Sequence, residues 1–279
     1  MKSLANQNLL ELGGPWSILS RQKRDHVRLD ALLARLDKVA AKQQQPVLRE
    51  IYRLVFPHAF AEESVLWPVL RRVLPDGQEL TLEVELEHQA INELVTRLES
   101  LDPCSVEWRT SVERIVELLR QDVRDEEDEL LPRLQTKLTA SQVRRLGMVW
   151  EVVRRIAPTR AHPIVSRRPP GNMLAALPLT LLDRSRDRVD TLLHRGAGAA
   201  TQPLQALSSA LTLASHAVER LPGLRRGEDP ATQIRREPHI GWGAAVIITL
   251  VTASAVIALA HRKQQGPIID HFPHGHLQS

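Results

Sequence analysis

The sequence predicts an all-α protein: an up-down four-helix bundle with a short fifth helix and a C-terminal transmembrane helix. Apolar residues recur at helical spacing through the first 160 residues, with almost no alternation of the strand type. Turn signals divide this stretch into segments of bundle length. Residues 241–260 contain no charged side chain, and this length is close to that needed to cross a bilayer.

Turn and capping residues define five helices. A Pro-Asp-Gly turn at 75–77 separates the second from the third, and Asp102-Pro103 separates the third from the fourth. A Thr139 or Ser141 cap opens the fifth. The predicted helices span 15–41, 46–73, 79–101, 105–138 and 140–156. Because the connections are short, neighbouring helices are expected to run antiparallel.

Composition changes along the chain and predicts four parts. These are the bundle at 15–157, a strap and linker rich in Pro, Arg and Ala at 158–240, the transmembrane helix at 241–260 and a disordered tail at 261–279. Within the linker, about 174–195 and 203–221 are expected to form amphipathic or marginal helices.

The predicted transmembrane helix has the flanks of a single-pass anchor. Trp242 stands at one edge of the uncharged stretch 241–260. Four arginines precede it within 225–236, against Arg262 and Lys263 after it. Since excess positive charge tends to stay inside, the bundle is expected to face the cytoplasm. A buried core helix is the alternative interpretation of this segment.

Charge and cysteine content narrow the function classes. Residues 1–140 carry 19 Lys and Arg against 24 Asp and Glu, whereas 141–279 carry 18 against 9. The arginines of the basic half stand beside prolines without interleaved aromatic residues, so we expect no nucleic-acid partner. Cys104 is the single cysteine, which excludes an intrachain disulfide and a Cys-ligated zinc or iron–sulfur site. The N-terminal residues lack the apolar stretch of a signal peptide, which also favours the cytoplasm.

Polar residues interrupt the apolar stripe of each bundle helix. One histidine lies on the stripe of the first helix and one on that of the third. The second and fourth helices each carry a pair of polar residues one turn apart on the same face. The six inward-facing residues are His26, His58, Glu62, His88, Asp122 and Glu126.

These six residues are expected to lie in one layer of the bundle. Counting residues to the connecting loops, at about 1.5 Å each, places them within about two helical turns of one another. Three imidazoles and three carboxylates in a dry interior need cations, and two metal ions bridged by a carboxylate would satisfy them. Mixed nitrogen and oxygen ligands suit iron, with zinc or manganese less favoured. A single histidine on an apolar face is usually a core residue, and a helical adaptor without metal is a further alternative.

Four segments carry a resemblance to a known family: RDHVRLDALL, FPHAFAEESVLWPVL, ELEHQAINELV and DVRDEEDELLPRL. In this order they resemble the bacterial hemerythrin-like, HHE cation-binding proteins, and the APTRAHP and PPGN strap resembles the segment that follows such bundles. The resemblance covers about 15–172. It implies a non-haem di-iron centre, with metal-ligand roles for His26, His58, Glu62, His88 and Glu126.

Two positions depart from the family pattern. Asp122 stands where the family often has a histidine, and Asn92 stands where the oxygen-carrying members have another. Fewer imidazoles and more anionic oxygens favour the ferric state, which disfavours reversible oxygen carriage. Glu63 and Glu127 adjoin candidate ligands but turn about 100° away on an ideal helix, so we interpret them as solvated charges or as supports behind the ligands.

We therefore expect a membrane-anchored protein with two iron ions that binds a small diatomic or peroxide ligand. Oxygen, nitric oxide or peroxide sensing, redox response and iron handling are the favoured functions, and a weak peroxidase- or catalase-like activity is left open. The alternative is a non-catalytic, metal-stabilised helical adaptor localised to the membrane. The sequence identifies no protein partner.

Overall fold

A computed structural model describes residues 1–196 and 198–234, and the regular secondary structure in these ranges is helical. Its α-helices are α1 (Ile18–Leu36), α2 (Ala41–Ala61), α3 (Trp67–Val73), α4 (Gly77–Leu98), α5 (Val106–Asp125), α6 (Leu131–Lys137), α7 (Ala140–Arg155), α8 (Gly171–His194) and α9 (Thr201–Glu219). The π-helical turns Glu62–Leu66 and Glu126–Leu130 join α2 to α3 and α5 to α6 without a break. The all-α prediction is confirmed for these residues.

Four helical rods form the bundle: α1, α2–α3, α4 and α5–α6. The predicted boundary between the first two is wrong, because α1 ends at Leu36 and α2 already begins at Ala41. The Lys-Gln-Gln-Gln stretch at 42–45 is the polar stretch expected to end the first helix. Lysine and glutamine are good helix formers, and the stretch forms the start of the second helix instead. The fifth helix, α7, opens at a Thr139 and Gln142 capping box and packs against α1 and α2.

Two apolar clusters fill the bundle. One lies towards the α1–α2 and α4–α5 connections and includes Leu33, Ile51 and Ile115. The other lies towards the α3–α4 connection and includes Trp67 and Trp150. The layer between them contains the polar residues singled out by the sequence. Because each cluster removes many large side chains from water, the fold has a hydrophobic driving force on both sides of that layer.

The segments for which the sequence predicted only marginal helices form α8 and α9, of 24 and 19 residues. The two helices pack against each other, and a small apolar cluster of Val165, Leu179 and Val218 lies between them and the strap. Ordered helix here depends on tertiary packing, which outweighs a weak local pattern. The division of the chain into separate domains stays a prediction.

A buried histidine fixes this hairpin to the strap. His162 contacts Asp183 of α8 through Nε2 at 3.0 Å and Glu219 of α9 through Nδ1 at 2.8 Å. Burial lowers the pKa of His162, but the two carboxylates outweigh burial and raise it to about 10. Burial raises the pKa of Asp183, and His162 outweighs that effect and lowers it. The backbone N–H of His162 also donates to the Asn92 side chain of α4 at 2.9 Å. The triad of His162, Asp183 and Glu219 therefore connects the hairpin of α8 and α9 to the bundle.

A second buried ion pair lies where the strap ends. Arg168 contacts the fully buried carboxylate of Glu85 in α4 at 2.7 Å, and Arg71 of α3 contacts the same carboxylate. Gly171 then begins α8 with its backbone N–H bonded to the Arg226 carbonyl at 3.0 Å. A Cβ atom at Gly171 would lie 2.5 Å from the Leu224 carbonyl oxygen, which explains the glycine at this close approach.

The predicted transmembrane helix at 241–260 and the predicted tail at 261–279 lie outside the described residues. Within the described ranges, no helix combines the length and the apolar character needed to cross a membrane.

Replacing His162 with alanine should destabilise the folded chain by about 3–5 kcal/mol at pH 7, because two buried carboxylates lose their cation. In the parent, the contribution of His162 should be complete below pH 6.5 and fall as the pH rises towards about 10, since the folded-state pKa lies above the unfolded value. Denaturant unfolding at several pH values measures both effects. His194→Ala removes an exposed histidine of α8 and is the control, with an expected change near zero. Equal stability of the two variants would show that the triad does not hold the hairpin.

Candidate metal centre

The structure brings all six predicted site residues together in the layer between the apolar clusters. They form two overlapping groups whose ligand-type atoms lie within 4.8 Å of one another. One group is His26, His58, Glu62 and Glu126, and the other is His88, Asp122 and Glu126. All six are buried, and the side chains of Glu62 and Glu126 have no exposed surface. Their role as metal ligands stays a prediction.

The first group joins three helical rods. His26 of α1 places Nε2 at 3.2 Å from Glu126 Oε2, and His58 of α2 places Nε2 at 2.9 Å from Glu62 Oε1. Ligands at right angles around an ion with bonds of about 2.1 Å would lie about 3 Å apart. The observed spacings are therefore those of neighbouring ligands of one ion.

The second group lies on the other side of the two glutamates. His88 of α4 places Nε2 at 3.2 Å from Asp122 Oδ1 and at 3.9 Å from Glu62 Oε2. Glu126 belongs to both groups, and Glu62 presents its other oxygen towards the second. Glu62 and Glu126 are thus the carboxylates that could be shared by two ions, with a separate set of side chains on each side.

Unpartnered atoms test whether these residues fit a metal. Seven buried nitrogen and oxygen atoms of the cluster have no hydrogen-bond partner. They are His26 Nε2, both Glu62 oxygens, His88 Nε2, Asp122 Oδ1 and both Glu126 oxygens. A buried carboxylate without a donor is costly, whereas a divalent or trivalent cation satisfies imidazole nitrogen and carboxylate oxygen at once. The donor set therefore fits two ions of the iron, manganese or zinc type.

An outer ring of carboxylates supports the three histidines. His26 Nδ1 contacts Glu127 at 2.9 Å, His58 Nδ1 contacts Asp25 at 3.2 Å, and His88 Nδ1 contacts Glu63 at 3.0 Å. Each acid is the sequence neighbour of a candidate ligand but supports a histidine on a different rod. A carboxylate at Nδ1 fixes the ring orientation and leaves Nε2 free for a metal. Of the two roles expected for Glu63 and Glu127, support behind the ligands is therefore the one that the structure favours.

Asp25 is the residue of this ring that the sequence analysis missed. A signal was available, because Asp25 directly precedes His26 just as Glu63 and Glu127 directly follow Glu62 and Glu126. The neighbour of a ligand turns away from the metal on its own helix, so it faces the next helix in the bundle. Which helix that is depends on the packing of the rods.

Both glutamates at the centre begin a π-helical turn. The same pattern, Glu-Glu-x-x-Leu-x-Pro, occurs at 62–68 and 126–132. Pro68 and Pro132 cannot donate a backbone hydrogen bond, and a proline ring clashes with the preceding turn of a regular α-helix. The wider π turn accommodates each proline, and such turns are frequent at functional sites. This repeated pattern places the two central carboxylates in equivalent local structure.

Charge is unbalanced in the layer without cations. Burial lowers the pKa of His26, but Glu126 and Glu127 outweigh burial and raise it to about 9. The carboxylates around His58 and His88 likewise raise the pKa of both histidines well above the usual value. Burial and the nearby carboxylates of Glu62 and Asp122 raise the pKa of Glu126 to about 8. The cluster therefore holds protons that metal ions would displace.

Asn92, one of the two departures from the family pattern noted in the sequence, makes hydrogen bonds outside the cluster. Its amide nitrogen donates to the His88 carbonyl at 2.8 Å, and its amide oxygen accepts from the His162 backbone N–H at 2.9 Å. The side chain therefore ties the strap to α4. Asp122, the other departure, adds a third carboxylate to the buried cluster, with three histidines.

An up-down helical bundle with a buried layer of histidines and carboxylates defines the class of non-haem metal-binding bundle proteins. Residues 17–134 match the family described as the hemerythrin HHE cation binding domain. The family resemblance that the sequence motifs predicted is confirmed.

Two relatives are similar over part of their length. The chain is 24% identical over 134 residues to an uncharacterized hemerythrin-like protein of Schizosaccharomyces pombe, covering 48% of this chain and 66% of that protein. It is 26% identical over 121 residues to a DNA nickase of Nostoc, covering 43% of this chain and 34% of that protein. The chain thus spans less than two thirds of either relative. No solved structure matches significantly.

The shared carboxylate gives a direct test of the two-ion arrangement. Glu126→Gln should reduce bound metal to half or less, because Glu126 belongs to both groups. Without metal, the variant should be at least as stable as the parent, since a neutral amide replaces a buried carboxylate crowded by two others. Elemental analysis and denaturation in the presence of a chelator measure the two effects.

Glu85→Gln is the matched control for this experiment. Glu85 is an equally buried glutamate, but Arg71 and Arg168 pair with it outside the cluster. This variant should keep its metal and lose about 3–5 kcal/mol of stability. Full metal content in Glu126→Gln would contradict the assignment of Glu126 as a shared ligand.

Proposed function

We propose that the hemerythrin-like domain of this chain holds two iron ions between its helices and binds or reacts with oxygen, nitric oxide or peroxide. The proposed role is sensing, redox response or iron handling, carried out by a protein that a C-terminal helix anchors to a membrane. The observation that carries the proposal is the set of seven buried, unpartnered ligand atoms that converge from four helical rods.

Each of the candidate ligands has a definite task in this proposal. His26 and His58 would hold one ion and His88 with Asp122 the other, while Glu62 and Glu126 would bridge them. A pair of iron ions would supply electron transfer to the bound ligand. Asp25, Glu63 and Glu127 orient the imidazoles through Nδ1, and the apolar clusters on both sides exclude water from the layer.

The balance of nitrogen and oxygen ligands favours reaction with oxygen over its reversible carriage. Three carboxylates stabilise a higher charge on the metal than three further histidines would, so ferric iron is favoured. A cavity of about 30 Å³ adjoins His26, His58, His88 and Asp122. A single water needs about 10–15 Å³ of cavity volume, so the cavity has room for a diatomic molecule or peroxide.

The alternative is an adaptor in which metal only holds the bundle together. The two apolar clusters argue against it, because they give the bundle a core that does not depend on the metal layer. The activity of the DNA nickase relative is not carried over, since the match spans only 34% of that protein.

Membrane attachment through residues 241–260 remains part of the proposal and rests on their sequence. The segment has twenty uncharged residues with Trp242 at one edge, which is the pattern of a single transmembrane helix. The arginines before it favour a bundle on the cytoplasmic side, because excess positive charge tends to stay inside.

Metal content and ligand reactivity test the proposed centre. The full chain from iron-supplemented cells should contain two irons, and its optical spectrum should change on exposure to air and to nitric oxide. Glu62→Ala should lose metal and reactivity while the helical circular dichroism remains, because the apolar clusters are intact. Unfolding of this variant, or a folded parent that contains zinc or no metal, would support the adaptor instead.

Two arginines in the predicted anchor test the membrane proposal. Leu250→Arg with Val251→Arg should release the chain from alkaline-washed membranes, since each charge at a helix centre costs about 2.5–3.5 kcal/mol of insertion free energy. Leu213→Arg, an exposed position of α9, is the control and should leave the chain in the membrane fraction. A parent chain that appears in the alkaline wash would contradict membrane insertion.

A further inference from the structure

The cavity beside the candidate metal layer is walled mainly by apolar side chains. Leu29 of α1, Phe56 of α2 and Leu119 and Val123 of α5 line it together with the three histidines. Leu29, Phe56 and Leu119 are almost fully buried, whereas Val123 is only partly buried. Val123 is therefore the apolar wall residue between α1 and α5 that reaches towards the surface, and Asp25 and Ala59 are the other partly buried residues of the lining.

An outer groove lies on the other side of that wall. It runs between α1 and α5, has a volume of about 400 Å³ and is lined on its outer part by Val27, Asp30 and Arg124. His26, Leu29, Leu119 and Val123 line both the groove and the inner cavity. A single layer of side chains therefore separates the groove from the space beside the candidate ligands.

The opposite side of the cavity is closed more firmly. A second small cavity under the strap shares Phe56, Ala59 and Asn92 with the first. There Asn92 is hydrogen bonded to His88 and to the strap at His162, and Arg167 donates to the His162 carbonyl at 2.9 Å. Passage on this side would break buried hydrogen bonds, whereas passage between α1 and α5 needs only a rotation of apolar side chains.

We propose that the ligand reaches the metal layer through the wall of Leu29, Leu119 and Val123, that Val123 is the gate, and that the wall selects small uncharged diatomic molecules over anions. An anion would lose its hydration in an apolar passage, but a neutral diatomic gas has little hydration to lose. The cations at the groove do not replace the hydration that an anion would lose inside the wall. Lys23 is bonded to the Ala5 and Gln7 carbonyls and Arg120 to Asp37, and Arg124 lies on the outer part of the groove. This inference rests on the proposed function and specifies the ligand class of the same site.

Association kinetics of nitric oxide with the iron-loaded full chain test the gate. Val123→Ala should bind nitric oxide several-fold faster than the parent, and Val123→Phe should bind it roughly tenfold more slowly. Val116→Ala is the matched control. Val116 is a buried valine two turns earlier on α5, and it lines a different groove. Its rate should equal that of the parent, and metal analysis of every variant separates slow access from lost metal.

Two further comparisons decide the ligand class and the side of access. Azide anion should bind to the parent roughly tenfold more slowly than nitric oxide, because of the apolar wall. Phe60→Trp, at a residue that lines only the second cavity under the strap, should leave the nitric oxide rate close to that of the parent. Equal rates for azide and nitric oxide would overturn the selectivity, and a slowed Phe60→Trp with unchanged Val123 variants would move the route to the strap side.

A measurement without iron chemistry separates this inference from the proposed function. In the zinc-loaded or metal-free full chain, dissolved oxygen should enhance relaxation of the methyl groups of Leu29, Leu119 and Val123 more than those of Ile115, which is at least as deeply buried. Equal relaxation would overturn the route. Enhanced relaxation with no ligand binding to the iron-loaded chain would keep the route and reject the proposed function. Ligand binding at the same rate in all Val123 variants would keep the proposed function and reject the route.

Discussion

The carboxyl groups of Glu62 and Glu126 lie in the middle of the bundle with no exposed surface, and they govern the arrangement around them. Carboxylates in such a place need cations or protons, and the histidines of α1, α2 and α4 offer the nitrogen atoms that would complete two candidate metal sites with them. The apolar clusters on both sides keep water away from the layer, so no solvent relieves the charge. Iron at this layer would therefore balance a charge that the fold already sets in place.

The outer carboxylates follow one rule around the bundle. Three acids that adjoin a candidate ligand, Asp25, Glu63 and Glu127, each support the histidine of a different rod. On α4 the acid beside His88 is Glu87, which lies near Asp122 and supports no histidine among the described contacts. Burial and Asp122 raise the pKa of Glu87 to about 7, which shows the repulsion between the two acids. The change to aspartate at 122 therefore alters the outer ring as well as the ligand set.

The strap connects this layer to the rest of the chain. Asn92 joins His88 to the strap backbone, and Arg167 lies 3.8 Å from Glu63, which supports His88. The strap in turn is fixed to α8 and α9 by His162. The strap therefore connects His88, of the second candidate group, to the hairpin of α8 and α9, and the first candidate group faces the α1–α5 groove through His26.

The sequence by itself determined the all-α bundle and the six inward-facing residues. Helical periodicity predicts which face of its helix a residue such as His26 or Glu62 occupies. The number of residues to the nearest short loop predicts its position along the bundle axis, so both the face and the position can be counted from the sequence. The tertiary structure decided how these residues divide into two groups, because that depends on which rods face each other. It also decided the partners of Asp25, Glu63 and Glu127, which lie on other helices. The same reason applies to α8 and α9: their local pattern is weak, and buried contacts such as His162 with Asp183 and Glu219 stabilise them only once distant segments have packed.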